Sequence, residues 1–359
     1  MQVTSYTGSN SATMIVWTLA VFLLFLSLLK IVQKKLSASD TSKSLPGPWK
    51  LPLVGHLPFL GFFPHETIFK WKEKYGPIIF IQFGSYPAVV INDGALIKAA
   101  FNMPSLAGRP KIKLLDETTL NRSGFATSDG PIAKELRIVD DDDGYRRFVE
   151  DNVESATLPP LLALTVFLPK LADWFPELTG YKQRIDYPEV QEKAVEEIHT
   201  TLGTNGFPRY SDRANLPYCE ALFQETLRKT TVVPLSLPHR ALEDTKFQGY
   251  LIKKDTMVMG NLYAAHNDPK VWTDPESFNP ERFLDSNGKL NNMEAFVMSF
   301  STGKRKCIGE NLARNQMFLF VVSILQNYRL EAATQLPSGR GVLGLTQACE
   351  SFQVRVYRR

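Results

Sequence analysis

Hydrophobic positions along the chain fall into runs of three kinds. The first runs from Ala12 to Leu29 with no charged residue, roughly 18 residues and enough to cross a bilayer as a helix. No Lys or Arg precedes it, whereas Lys30, Lys34 and Lys35 follow. The positive-inside rule then predicts a transmembrane signal anchor over 12–32, a lumenal stretch 1–11, and a cytosolic remainder. A cleaved signal peptide fits less well, because the n-region lacks positive charge and no A-x-A-like site precedes the lysines. The second kind is the run from Ile308 to Tyr328, where Leu312, Met317, Phe318, Leu319, Phe320, Val321, Val322, Ile324 and Leu325 make the pattern apolar nearly all round. That predicts a buried helix.

The third kind is mixed. Helical spacing predicts helices over Thr67–Tyr75, Ala95–Phe101, Tyr145–Ala156, Pro188–Leu202 and Leu216–Lys229. Short β-rich runs at Ile78–Phe83 and Ala88–Ile91, separated by Gly84-Ser85-Tyr86-Pro87, predict a hairpin. Phe247–Ile252, Thr256–Gly260, Arg329–Ala332 and Phe352–Tyr357 read as further strands. Leu161–Phe175 is apolar but interrupted by Pro169, and on its pattern fits a core helix. Leu45-Pro46-Gly47-Pro48-Trp49 follows a Ser/Thr/Lys-rich linker and reads as a stiff hinge. The expected organisation is mainly α with small β-sheets: anchor, linker and proline-rich hinge over 33–49, and one domain over 50–359.

Composition changes this picture little. The chain has 359 residues, 44% hydrophobic and 22% charged, as in an ordinary globular protein. A net charge of +4 is too small and dispersed to point to nucleic acid. Three cysteines without CxxC spacing, Cys219, Cys307 and Cys349, argue against a disulfide framework or a zinc site.

Candidate chemistry concentrates in Phe300-Ser301-Thr302-Gly303-Lys304-Arg305-Lys306-Cys307-Ile308-Gly309. A lone cysteine is ordinarily a small buried hydrophobe. This one ends a turn-rich loop at the expected N-terminus of the buried helix, where the dipole and Lys304, Arg305 and Lys306 favour a thiolate. Gly303 and Gly309 lack Cβ atoms, so a flat ligand could come close to the backbone.

The loop resembles the haem-binding signature of the cytochrome P450 family, with Phe300, Gly303, Arg305, Cys307 and Gly309 at the expected positions. The resemblance implies a P450-like haem-thiolate fold, with Cys307 as axial ligand to the iron of haem b. Glu225-Thr226-Leu227-Arg228 resembles the family's ExxR, and Arg282 in Pro280-Glu281-Arg282-Phe283 its partner. Together they imply a buried Glu–Arg–Arg network behind the cysteine loop. The resemblance further implies that Arg122 and His239 reach haem propionates, and that Val233, Leu235 and Leu237 border a substrate pocket. Leu343–Thr346 would reach the same pocket from the C-terminal side, and Leu161–Phe175 resembles the roof over the family's substrate channel, with a core helix as the equal alternative.

Two departures accompany these matches. No Trp-x-x-x-Arg follows Pro131, and Arg184 runs almost directly into Tyr187 without the family's long central helix. The fold is therefore expected to be incomplete, with omissions near 131–132 and 184–186. No distal acid–Thr pair is identified; Asp244-Thr245 and Asp255-Thr256 fall in strand- or turn-like contexts.

By resemblance, the activity is insertion of one oxygen atom of O2 into a lipophilic substrate such as a steroid, fatty acid or xenobiotic. Electrons would come from NADPH–cytochrome P450 reductase, with cytochrome b5 as a second partner, at the endoplasmic reticulum membrane. Lys304, Lys306 and Arg314 are candidates for the docking surface. Two alternatives stay open: a catalytically defective, membrane-anchored haem-binding or splice product, and a haem-thiolate isomerase or dehydratase.

Overall fold

Alternate residues of Ile78-Ile79-Phe80-Ile81 serve two different cores, and this sets the middle of the structure. β1 (Ile78–Phe83) pairs antiparallel with β2 (Tyr86–Ile91). β2 runs parallel to β6 (Met257–Gly260), which pairs antiparallel with β3 (His239–Arg240), in the order β1-β2-β6-β3. On one face Ile79, Ile81, Val90 and Met259 pack with Ile68 of α2 (Pro64–Tyr75) and Leu60 of the short α1 (Leu57–Leu60). On the other, Ile78, Val89, Ile91 and Val258 pack with Ile97, Ala100 and Phe101 of α3 (Gly94–Asn102). The period of two puts both sets on one sheet.

These statements come from a computed structural model that describes residues 43–110, 187–204, 206–333, 347 and 353–359. The expected anchor over 12–32, Arg122, both omission points, the helix at Tyr145–Ala156, the apolar run Leu161–Phe175 and Leu343–Thr346 lie outside the described residues. Among the described residues no helix is long and apolar enough to cross a membrane.

Leu45–Arg359 forms one compact unit. It starts before the expected boundary at residue 50, because the hinge packs on β1. Phe80 N–H donates to the Pro46 carbonyl at 2.7 Å. A Cβ on Gly47 would meet the Phe80 carbonyl oxygen at 2.5 Å. The turn of the hairpin is shorter than expected, since Tyr86 and Pro87 already pair with Phe83 and Gln82. Pro87 precedes Ala88, where β2 meets its second neighbour, so its missing N–H costs no bond to β6. The single strand expected over Phe247–Ile252 is instead a hairpin of β4 (Thr245–Phe247) and β5 (Tyr250–Ile252). It turns at Gln248 (φ 51) and Gly249 (φ 80), two successive left-handed residues that suit a tight hairpin.

The helical part packs α4 (Pro188–Leu202), α5 (Pro217–Thr230) and α7 (Glu310–Asn327) around one core. Val190, Ala194, Val195 and Ile198 of α4 meet Cys219 and Leu222 of α5 and Phe318, Val321, Val322 and Leu325 of α7. Their i, i+4 spacing makes each contributing face continuous. Between α5 and α7 lie the short α6 (Leu262–His266), a 3-10 turn at Pro280–Phe283 and the cysteine loop. β7 (Tyr328–Ala332) and β8 (Val354–Arg358) close the chain as an antiparallel pair.

Candidate cysteine-loop site

The cysteine loop is held by its backbone and leaves its sulfur side open. Gly303 sits at φ +74, and a Cβ there would lie 2.3 Å from the Phe101 carbonyl oxygen. The room expected for a flat ligand at Gly303 is therefore filled by the end of α3. At Gly309 the nearest atom to an added Cβ is Cys307 Sγ at 3.9 Å, so the backbone beside the sulfur is clear. Cys307 N–H donates to the Phe300 carbonyl at 3.0 Å, closing the loop, and Cys307 is exposed. α7 starts later than expected, at Glu310, with Gly309 as its cap. Lys306 at ψ 147 keeps the chain extended, so Cys307 stands just ahead of the helix rather than in its first turn.

Charge around the loop is mixed. Lys306 Nζ contacts Glu310 at 2.5 Å and Arg314 Nε contacts the same carboxylate at 2.9 Å. The Arg314 guanidinium lies 5.2 Å from the Phe300 ring centroid and 5.9 Å from that of Phe223. Arg314 therefore turns inward as a clamp on Phe300, because two aromatic faces and a carboxylate hold it, while Lys304 and Lys306 stay exposed. A surface cavity of about 460 Å³ beside them is lined by Glu294 and Glu310 as well as Lys98.

Phe101–Arg109 gathers a second set of residues. Arg305 Nε donates to the Ala107 carbonyl at 2.9 Å, and His239 Nδ1 donates to that of Leu106 at 3.1 Å. The Phe101 ring stacks on His239 with centroids 3.8 Å apart. Gly108 bridges to Arg240, and Arg109 Nη1 donates to the Pro238 carbonyl at 3.1 Å. Burial, with the positive charges of Arg109 and then Arg305, lowers the His239 pKa to about 3. A positive field thus converges at this point, one step along the chain from Cys307. Arg122, for which the resemblance implies a propionate contact, lies outside the described residues. A Cβ on Gly108 would lie 2.9 Å from the Arg240 carbonyl oxygen, so this close approach needs glycine.

Behind the loop, Glu225 and Arg228 are fully buried and joined by two bonds of 2.7 Å. Arg282 Nε donates to Glu225 Oε1 at 3.2 Å, and Asn279 N–H to the same oxygen at 2.9 Å. Arg228 also donates to the carbonyls of His266, Pro275 and Ser277 at 2.8, 3.0 and 3.1 Å. Every charge here has partners, the condition under which a buried ion pair is tolerated.

Val233, Leu235 and Leu237 do not line up together. Ser236 takes φ 55, which splits the segment. Leu235 packs into the core beneath the sheet, whereas Leu237 is 41% exposed. Asp244 and Asp255 are held by Lys253 at 3.0 Å and Arg240 at 2.6 Å. Among the described residues no group of three or more His, Cys, Asp or Glu could hold a metal ion.

The model of the cytochrome P450 family matches residues 45–139 and 184–348. The chain belongs to the cytochrome P450 family. Its P450 fold of helices and small sheets is the one described above. Human cytochrome P450 2U1 is 44% identical over 174 residues, 48% of this chain and 32% of that protein. Mouse cytochrome P450 2B19 is 49% identical over 179 residues, 49% of this chain and 36% of that protein. Rat cytochrome P450 2B2 is 44% identical over 153 residues, 43% of this chain and 31% of that protein. The matched stretches thus span about a third of the length of these curated P450 relatives.

Proposed function

We propose that the chain is a haem-dependent monooxygenase domain in which Cys307 supplies the axial thiolate to the iron of haem b. One observation carries the reading. An exposed sulfur stands on a loop fixed, at Gly303 and Arg305, to the segment where Arg109, Arg305 and His239 converge. That combines a soft metal donor with two guanidiniums beside a neutral imidazole, which fits a macrocycle carrying iron at its centre and carboxylates at its rim. In this reading Arg109, Arg305 and His239 hold the propionates, and the Glu225–Arg228–Arg282 network braces the loop from behind.

When bound, the haem supplies the O2 activation and oxygen insertion. The chain's own residues fix the sulfur's direction, neutralise the carboxylates and present apolar surface to the substrate. Val233 and Leu237 offer such surface, which suits a lipophilic molecule such as a steroid, fatty acid or xenobiotic. Exposed Lys304 and Lys306 support docking of an acidic electron donor of the NADPH–cytochrome P450 reductase kind, with cytochrome b5 as a second donor. Trp49, Leu53, Val54, Leu57, Phe59 and Phe62 are all exposed within one short stretch after the hinge. That supports seating on a membrane surface, with the anchor over 12–32 in the endoplasmic reticulum.

Among the described residues Asp244-Thr245 and Asp255-Thr256 sit at a strand start and in a turn rather than within a helix, which favours a second reading, haem binding without oxygenase turnover. Product formation by the haem-loaded full chain with reductase and NADPH decides between them. Oxygenated product from a lipophilic probe supports the first. A haem-loaded protein that oxidises NADPH without product, or not at all, supports the second.

A further inference from the structure

His266 is fully buried at the end of α6, and the haem reading gives it no role. Its hydrogen bonds define one tautomer. Met298 N–H donates to Nε2 at 2.8 Å, so Nε2 carries no proton. Nδ1–H therefore donates to Thr231 Oγ1 at 2.7 Å, and that hydroxyl donates onward to the Arg228 carbonyl at 2.8 Å. The Arg228 guanidinium in turn donates to the His266 carbonyl at 2.8 Å. The ring thus spans from the last turn of α5, which carries the buried network, to the amide where the chain enters the cysteine loop.

Two further observations point the same way. Thr231 is β-branched yet sits at φ 33, ψ 62, a left-handed conformation that persists only where its surroundings over-determine it. The two bonds on its hydroxyl supply that restraint. Next to Met298, Ser299 Oγ donates to the Leu227 carbonyl at 2.7 Å, and Ser301 N–H donates back to the Met298 carbonyl at 2.8 Å while Ser301 takes φ 62. The loop entry is therefore tied to the end of α5 by two side chains, and the strained residues on both sides depend on those ties. The chain then runs through Phe300, whose carbonyl accepts from Cys307 N–H.

We propose that His266 is a positioning residue for Cys307: as a neutral Nδ1–H imidazole it transmits the placement of Arg228 and Thr231 to the Met298 amide and so sets how the loop presents its sulfur. The direction of the Cys307 sulfur is then decided partly from the far side of the buried network, by a ring that touches neither the sulfur nor any ligand.

Three substitutions in the full chain separate positioning from packing. His266→Gln places an amide oxygen where Nε2 accepts from Met298. His266→Asn reaches Thr231 but not Met298. His266→Phe keeps the ring volume and loses both bonds. If His266 only fills space, Phe disturbs least and Asn most. If it positions the loop, Gln is closest to the parent and Phe fails with Asn.

The first readout is amide hydrogen exchange at Cys307 in the haem-free chain. It should accelerate about tenfold in His266→Phe, which loses the bond to Met298 as well as that to Thr231, and less than threefold in His266→Gln. The second readout rests on the haem-thiolate reading: the share of the thiolate-type ferrous–CO band should fall in the same order. Should His266→Phe not fold, Thr231→Val removes both bonds of the hydroxyl while leaving the ring and its bond to Met298, and should still speed Cys307 exchange. A Phe variant as well protected at Cys307 as Gln, or a Thr231→Val variant identical to the parent, would overturn the proposal. An absent thiolate-type band in the parent, with the exchange order intact, would instead count against haem ligation and leave the strut standing.

Discussion

The Glu225 network and the cysteine loop lie close in space but are built on opposite rules. Glu225 and Arg228 are both fully buried, and every charge meets a counter-charge or a carbonyl. The loop presses Gly303 against α3, closes on the Phe300 carbonyl, and leaves its one reactive side chain exposed. A buried network is a poor source of net stability, because desolvation offsets its attraction, but it is costly to break by halves. That makes it suited to holding geometry. The loop has little packing of its own and borrows its shape from that geometry and from α3.

The contrast orders the expected effects. Arg228→Ala should cost most, about 3–5 kcal/mol, because it strands Glu225 in the core. Urea unfolding measures this, and a loss under about 1 kcal/mol would dissolve the distinction between scaffold and loop. Gly303→Ala should cost about 2 kcal/mol or more, since φ +74 and the Phe101 carbonyl both oppose a Cβ. Gly309→Ala, with 3.9 Å of space, should stay within about 0.5 kcal/mol and act instead on ligand binding. Equal stability costs for the two glycines would mean that the loop is not pressed against α3 as described.

Acid should probe the scaffold next. Burial lowers the pKa of His266 to about 3 and that of His65 to about 4, below the ordinary 6.5. Both stay neutral in the folded chain while the unfolded chain takes up protons. Their contribution is complete above pH 6.5 and is lost progressively as pH falls toward 4 and 3. Each should remove about 1.4 kcal/mol per pH unit in that window. His266→Phe should flatten the unfolding free energy against pH by one group's slope; an unchanged slope would place that proton elsewhere. Smallest are the loop's cations. Arg314→Ala should cost about 1 kcal/mol through Phe300 and Glu310, while Lys304→Ala should leave stability within about 0.5 kcal/mol. A Lys304→Ala cost matching that of Arg314→Ala would erase the difference between inward clamp and exposed surface.

Local patterns were legible in the sequence and long-range ones were not. The cysteine loop, Glu225–Arg228 and Arg282 are visible because each is a short string with its chemistry inside it. The helix boundaries at Pro188, Gly203 and Gly76 follow from proline and glycine acting on their immediate neighbours. The placement of Arg109 beside His239 was not legible, because it depends on strand contacts that bring Pro238–Arg240 beside Leu106–Arg109. Leu235 packs against the sheet while Leu237 is exposed, with a left-handed Ser236 between them, a residue type with no strong preference for that conformation. His266 carried no sequence signal of this placement, since its partners lie at the end of α5 and at the entry to the cysteine loop, far away along the chain.

The central claim is the bond between the Cys307 sulfur and iron. The direct measurement is the ferrous–CO spectrum of the haem-reconstituted full chain beside that of Cys307→Ala. The account predicts a thiolate-type band in the parent and its loss in the variant, with the fold of both unchanged by circular dichroism. A parent that takes up no haem, or a variant that keeps the parent's band, would contradict it.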